Sequence, residues 1–237
     1  MTFDRTILLT LNQFAGKSEI FDKLMLDIAD SAMLKGAVFM AYFWYVWFGG
    51  DSDTIARRKT VVISLVGVFV AALAARTLQL VLPLHGRPLH TSGIGFTLPS
   101  SVNPETLNLW NSFPSDHAVL FFALSTAVWF HSRLLGVLAA LWTLIVICIP
   151  RIYLGFHYPS DVVAGAVIGV LIMLATRHLL ARTRFPERVL RLEHTNAKAF
   201  YCTAFLVTYE IAFLFYDLRS LASDGYHLLK SAMASVA

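Results

Sequence analysis

Several stretches of this chain run for close to twenty residues with almost no charged side chains. An α-helix of that length crosses the roughly 30 Å hydrocarbon core of a bilayer and satisfies its own backbone hydrogen bonds. The composition points the same way, because 57% of the residues are hydrophobic and 14% are charged, whereas a soluble domain has about a quarter charged. We therefore predict an all-α integral membrane helical bundle.

The hydropathy pattern predicts about six transmembrane helices in a single domain, residues 1–237. Residues 1–27 carry an apolar helical stripe, which predicts a segment lying in the membrane interface; an amphipathic cap on the bundle is the alternative. Residues 84–116 are too rich in Ser, Pro, Gly and Asn to lie in lipid, so we predict a long extramembrane loop with a short helix over residues 103–110. The predicted spans are residues 28–48, 60–83, 117–131, 134–150, 161–181 and 199–217.

Basic residues predict the orientation, because Lys and Arg concentrate in cytoplasmic loops. Loops 49–59, 131–134 and 177–198 share one side and carry most of them. The termini and the long loop are then predicted at the periplasmic or exterior face of an inner (cytoplasmic) membrane. The net charge of +4 fits anionic lipid headgroups, and no motif indicates a nucleic-acid partner. The sequence does not predict an oligomeric state.

Reactive side chains occur at the ends of four predicted spans, and all of these ends lie on the outer face. Hydropathy alone does not require this arrangement. The topology therefore predicts one cluster of guanidinium, imidazole, hydroxyl and carboxylate groups. Its members are Arg87 after the second span, Ser115 and His117 at the third, Arg151 at the end of the fourth, and His157 and Asp161 at the fifth.

Three segments of the cluster resemble the motifs of the type 2 phosphatidic acid phosphatase superfamily. Residues 151–161, Arg-Ile-Tyr-Leu-Gly-Phe-His-Tyr-Pro-Ser-Asp, resemble its third motif, an Arg, five residues, a His, three residues and an Asp. Residues 113–117, Phe-Pro-Ser-Asp-His, resemble its second motif, Pro-Ser-Gly-His, and residues 86–88 the end of its first. The resemblance implies a membrane lipid phosphatase that acts on a lipid phosphate or diphosphate without a metal or other cofactor.

The residue types suit phosphoryl transfer. Its transition state spreads negative charge over the equatorial oxygens, so catalysis needs fixed positive donors. Arg87 and Arg151 are the candidate phosphate ligands, because a guanidinium makes forked contacts with phosphate. Ser115 and the first amides of the third span add donors where the helix dipole favours an anion.

Three further residues are the candidate catalytic groups. His157 is predicted to attack phosphorus as a neutral imidazole and form a phosphohistidine. Asp161 is predicted to orient it by hydrogen bonding the other ring nitrogen. His117 is the candidate general acid for the departing lipid oxygen, and then the base that activates water.

Three positions depart from the family motifs. The family's first motif has a Lys seven residues before its Arg, and that position is Leu80 here. Arg76 lies on nearly the same helical stripe, so it is a candidate phosphate ligand. The alternative is that Arg76 pairs with another polar residue within the membrane. Asp116 replaces the motif Gly and either lies beside the anion site or caps the helix and faces away. Pro150 replaces a Ser.

Each residue also has a structural interpretation: arginines at span ends anchor in headgroups, and Asp161 can cap a helix. The motif spacing and the shared face favour catalysis. A transporter is the alternative of another class, because Arg76 and Glu210 lie within spans, although a transporter concentrates polar residues at mid-bilayer. A metal-dependent phosphatase needs converging carboxylates or histidines, and the outer face has few. Soluble vanadium haloperoxidases share the superfamily, but six apolar spans argue against one.

The first-choice substrate is undecaprenyl diphosphate, a polyprenyl diphosphate of cell-wall synthesis. The two spans before the first motif resemble the arrangement of bacterial bacitracin-resistance diphosphatases. Phosphatidylglycerol phosphate, phosphatidic acid and lipid A phosphate are the alternatives that the family resemblance implies.

Overall fold

The computed structural model describes residues 3–50 and 54–214, and every regular element in these ranges is helical. This confirms the predicted all-α membrane bundle. A 3-10 turn, Pro88–His90, lies in the long loop predicted over residues 84–116. The helices are α1 Phe3–Asn12, α2 Glu19–Asp30, α3 Met33–Phe48, α4 Thr54–Val81, α5 Asp116–Trp129, α6 Arg133–Tyr153, α7 Pro159–Leu180, α8 Phe185–Thr195 and α9 Ala197–Ala212.

Within the described residues, α4, α6 and α7 are long and apolar enough to cross a bilayer, while α3 and α5 are apolar but shorter. The predicted spans 60–83, 134–150 and 161–181 correspond to the three long helices. The predicted span 28–48 is divided at Ser31 between α2 and α3. Helix α9 begins in the predicted span 199–217, whose end lies outside the described residues.

Helix α5 lies at the centre of the bundle and packs closely against α7. Two glycines of α7 allow this approach: a Cβ at Gly165 would lie 2.7 Å from the Ser115 carbonyl oxygen, and one at Gly169 would overlap the Val119 carbonyl. The contact fixes the start of α5 beside the start of α7. The second and third motifs therefore meet at one end of the bundle.

We expect Gly169→Leu to weaken the bundle, because overpacking at a backbone contact costs about 1–3 kcal/mol. The melting temperature of the purified protein in detergent should fall. Val167→Leu is the matched control, since Val167 lies on the same helix and is 53% exposed. Equal melting temperatures for the two variants would show that α5 and α7 are not packed this tightly.

The N-terminal helices hold the long loop in place. The side chain of Asn12 pairs with the Thr97 backbone, with Nδ2 to O and N to Oδ1 distances both 2.7 Å. The buried carboxylate of Asp22 accepts hydrogen bonds from the Ser100 amide at 2.8 Å and its hydroxyl at 2.9 Å. Buried polar groups paired in this way define one position for the loop.

The predicted short helix over residues 103–110 is wrong. Leu107 and Leu109 have φ values of 58° and 61°, in the left-handed region that an α-helix of L-residues does not adopt. The segment forms successive turns instead, and the loop's only short helix in the described residues is the 3-10 turn Pro88–His90.

Candidate active site

The candidate site lies where the long loop meets the starts of α5 and α7 and the end of α6. Ser115 is the N-cap of α5, and its hydroxyl accepts from the Ala118 amide at 3.4 Å. Pro159 occupies the first turn of α7, where its missing N–H costs nothing. Asp4 of α1 accepts from the Ser160 amide at 2.7 Å and from its hydroxyl at 2.8 Å. These contacts fix the two helix starts that carry the motif residues.

His157 is fully buried in the turn before α7. Its Nδ1 lies 2.9 Å from the carbonyl oxygen of Ser112 and 3.8 Å from Oδ2 of Asp161. Its Nε2 has no hydrogen-bond partner among the described residues. Burial, helped by the nearby arginines, lowers the pKa of His157, although Asp161 and Asp116 act in the opposite direction. The ring is therefore neutral at pH 7, with Nδ1 held by the Ser112 carbonyl and Nε2 left without a hydrogen-bond partner in the described part of the chain.

Asp161 supports this arrangement mainly through a serine. Its Oδ2 accepts from the Ser112 hydroxyl at 2.6 Å and from the Tyr158 amide at 2.8 Å. The orienting contact predicted for Asp161 is therefore made by the Ser112 carbonyl, and Asp161 fixes Ser112. His85 adds an imidazole, with Nδ1 3.5 Å from Oδ1 of Asp161. Sequence analysis missed Ser112 and His85; the one signal for Ser112 is its place directly before the second motif.

His117 lies opposite His157, and Asp116 lies between them. Oδ1 of Asp116 is 2.9 Å from Nδ1 of His117 and 3.9 Å from Nε2 of His157. The same oxygen accepts from the His117 amide at 2.9 Å. Of the two orientations considered for Asp116, facing away is wrong, because Ser115 supplies the helix cap and leaves the carboxylate to turn inward.

Arg87 is buried, and its guanidinium donates to three backbone carbonyls. Nε reaches Trp110 at 3.2 Å, Nη2 reaches Asn111 at 3.0 Å, and Nη1 reaches Phe156. Burial lowers the pKa of Arg87 to about 10, so the group stays charged at neutral pH. An arginine has five N–H donors, so two remain after these contacts. Arg87 thus joins the long loop to the turn that carries His157.

Arg151 is the second motif arginine, and it is also buried. Its guanidinium lies over the Phe156 ring, 5.4 Å from the centroid. Its positive charge favours ionised Asp116 and disfavours the protonated forms of His117 and His157. Arg151 therefore contributes positive charge to the surroundings of the two imidazoles.

Lys35 adds a cation that the motifs did not indicate. Its ammonium group is buried and donates to the Ala29 carbonyl at 2.6 Å, at the end of α2. Its charge interacts with those of Arg151 and Asp116. The sequence signal was a single lysine within an apolar run, which is costly in a membrane without a partner.

The structure brings together all the predicted site residues except Arg76. The Arg76 guanidinium lies over the Trp110 ring, 4.4 Å from the centroid, and its Nη1 is 3.4 Å from Oε1 of Gln79. Gln79 in turn donates to the Pro114 carbonyl at 3.1 Å. Leu80, at the motif-lysine position, is 70% exposed, whereas the site residues Arg87, Arg151 and His157 are buried. Arg76 thus contacts Gln79, and Gln79 in turn holds the backbone of the second motif at Pro114.

Comparison with known proteins assigns a family to this arrangement. A family model described as "PAP2 superfamily" matches residues 83–185. The chain contains a PAP2 superfamily domain. The matched range contains Arg87 and both histidines. The match also includes all three segments, residues 86–88, 113–117 and 151–161, whose motifs predicted this superfamily.

Relatives of the PAP2 domain extend over most of the chain. The chain is 26% identical to the bacitracin transport permease protein BcrC of Bacillus licheniformis, over 77% of this chain and 83% of that protein. The chain is also 26% identical to the undecaprenyl-diphosphatase BcrC of Bacillus subtilis (strain 168), over 65% of this chain and 72% of that protein. LpxE of Aquifex aeolicus superposes with a TM-score of 0.52 at 18% identity, over 74% of this chain and 95% of that one. This superposition supports a shared helical fold.

Proposed function

We propose that the chain hydrolyses a polyprenyl diphosphate or a related lipid phosphate through a phosphohistidine formed at Nε2 of His157. The observation that carries this proposal is the state of that ring. It is buried and neutral, its Nδ1 is fixed on the Ser112 carbonyl, and its Nε2 has no hydrogen-bond partner among the described residues. A nucleophile needs a free lone pair held in one direction.

The reaction would proceed in two steps. The Nε2 lone pair attacks phosphorus, the bond from phosphorus to the leaving oxygen breaks, and His117 donates a proton to that oxygen. A water molecule then attacks the phosphohistidine and gives a proton to His117. The phosphorus to nitrogen bond breaks, which releases phosphate and restores neutral His157. Both histidines end in their starting states.

The positive groups around the imidazoles would bind the phosphoryl oxygens. Arg151 is the principal candidate, and Lys35 lies beside it in place of the missing motif lysine. The Ser115 hydroxyl and the amides at the start of α5 add donors at a helix N-terminus. Two buried cations repel each other in a low-dielectric site, so an anion bound between Arg151 and Lys35 would relieve that repulsion. Arg87 would contribute through its remaining N–H groups.

Undecaprenyl diphosphate is the first-choice substrate, since one relative is named an undecaprenyl-diphosphatase. A lipid A 1-diphosphate synthase of Escherichia coli (strain K12) is 27% identical over 60% of this chain, so lipid A substrates remain the main alternative beside phosphatidylglycerol phosphate and phosphatidic acid. Transport, the alternative of another class, is less well supported, because the buried charged groups of the described residues concentrate at one end of the bundle.

The test is phosphate release by the purified protein in detergent, with these four lipids and excess chelator. We expect turnover of undecaprenyl diphosphate to be fastest, and chelator to leave the rate unchanged. Among the described residues, no group of three or more His, Cys, Asp or Glu could hold a metal ion. Loss of activity in chelator that added metal restores would contradict the metal-free mechanism, and faster hydrolysis of another lipid would change the substrate.

The proposed orientation places the site at the periplasmic or exterior face of an inner membrane. Helix α7 has 22 residues and is therefore about 33 Å long, so α8 lies at the far end from His157. The basic residues around α8 fit the cytoplasmic face.

The pKa of His157 predicts the acid side of the pH profile. Because burial lowers this pKa below its ordinary value of about 6.5, the nucleophile stays neutral through neutral pH. It becomes protonated only at lower pH. We therefore expect kcat/KM to stay level down to about pH 6.5 and to fall below it, once substrate ionisation is corrected for. A decline that begins above pH 7 would contradict a neutral, buried nucleophile.

A further inference from the structure

Asp116 is one of the site residues that the proposed two-step reaction has not used. Its Oδ1 contacts both the ring Nδ1 and the backbone amide of His117, each at 2.9 Å. A glycine, the residue of the family motif, could make neither side-chain contact. Its side chain is 33% exposed, so part of this residue is accessible from outside the bundle.

The electrostatic surroundings of His117 explain what its contact with Asp116 contributes. His117 must carry a proton to the leaving oxygen, yet its burial, and then the charges of Arg151 and Lys35, disfavour a charged ring. A carboxylate at hydrogen-bond distance opposes those cations and stabilises an imidazolium. It also fixes the ring, because the Nδ1 proton is directed to Asp116 and Nε2 is left to face the substrate.

We propose that Asp116 is a positioning residue that orients His117 and stabilises its protonated form for transfer to the leaving oxygen. This role rests on the proposed function, in which His117 is the general acid. It matters most for a leaving group that cannot depart as an anion, such as a lipid alcohol. It matters least for a nitrophenolate, which departs without a proton.

An alternative interpretation of Asp116 predicts the opposite change in kcat/KM when the carboxylate is removed. Oδ1 of Asp116 is 3.9 Å from Nε2 of His157, near the place that phosphorus must occupy. A carboxylate that merely filled the anion site would compete with substrate. Its removal would then raise kcat/KM, whereas removal of a positioning residue lowers it.

The test compares Asp116→Asn with wild type on a long-chain alkyl phosphate and on a nitrophenyl phosphate carrying the same chain. The quantity is kcat/KM, which covers only the steps up to departure of the leaving group. We expect a loss of about 10-fold to 100-fold on the alkyl phosphate, within the range for general acid catalysis. On the nitrophenyl phosphate we expect a loss of about 3-fold or less, because no proton is needed.

His117→Gln and the double variant Asp116→Asn/His117→Gln complete the cycle. If Asp116 acts through His117, the double variant is no slower than His117→Gln alone. Equal losses on both substrates, additive losses in the double variant, or a gain of activity would each overturn the role. The His157→Gln variant tests the phosphohistidine mechanism separately from the role of Asp116. An active His157→Gln protein would contradict that mechanism, whatever the result for Asp116→Asn.

Discussion

Replacing His157 with glutamine is expected to lower kcat on any lipid phosphate by about 10,000-fold or more, the scale on which loss of a covalent nucleophile acts. Glutamine is close in size to histidine and is also polar, so the turn before α7 should hold. The loss should therefore appear in kcat with an almost unchanged melting temperature. The measurement is phosphate release in detergent beside a thermal melt.

Trapping the covalent intermediate tests the role of His157 most directly. His117→Gln should form phosphoenzyme from the nitrophenyl phosphate but hydrolyse it slowly, because no base activates the water. Rapid quenching should then detect an acid-labile, base-stable phosphoryl group on His157. The same label should be absent from a His117→Gln/His157→Gln protein.

His178→Gln is the matched control for His157→Gln, since His178 is an exposed histidine near the other end of α7. Its activity should equal that of wild type. Substantial turnover by His157→Gln, or label on another residue, would show that His157 is not the nucleophile.

Arg151→Lys is expected to lower kcat/KM by about 100-fold to 1,000-fold, the effect of removing a positioned donor to a transition-state oxygen. Lysine keeps the charge but loses the planar fork that matches phosphate. Binding of vanadate, a phosphate analogue, should weaken in parallel. Vanadate-dependent thermal stabilisation in detergent measures that affinity.

Arg87→Lys separates phosphate binding from structural support. A lysine cannot satisfy the three carbonyls of Trp110, Asn111 and Phe156 together, and each buried carbonyl left unpaired costs about 1–3 kcal/mol. Its melting temperature without vanadate should therefore fall well below that of Arg151→Lys. If Arg87→Lys melted like wild type while Arg151→Lys unfolded, the roles assigned to the two arginines would be reversed.

Much of the architecture could be predicted from local pattern, because a bilayer demands long apolar helices. The motif spacing likewise placed His157 just before one helix and Asp161 in the first turn of that helix. The helix expected at residues 103–110 failed, since the Asn-Pro-Glu start signal says nothing about the left-handed backbone at Leu107. That conformation depends on what the loop packs against.

The contacts within the site were harder to predict, because they join residues far apart in sequence. Arg87 carried a motif that implied phosphate binding, yet three of its N–H groups bind carbonyls at residues 110, 111 and 156. Ser112 contributes a backbone carbonyl, which leaves no signature in a sequence. The direction of Asp116 depended on whether Ser115 or Asp116 capped α5, and both residue types cap helices.

The anchoring of the long loop has a practical consequence for changing headgroup preference by loop exchange. Asn12 and Asp22 make their loop contacts from the two N-terminal helices, and they do so with the loop backbone at Thr97 and Ser100. If a foreign loop were grafted alone, its backbone would follow another path and would not form these hydrogen bonds with Asn12 and Asp22. Chimeras that transfer residues 3–30 together with the loop should retain activity more often than those that transfer the loop alone.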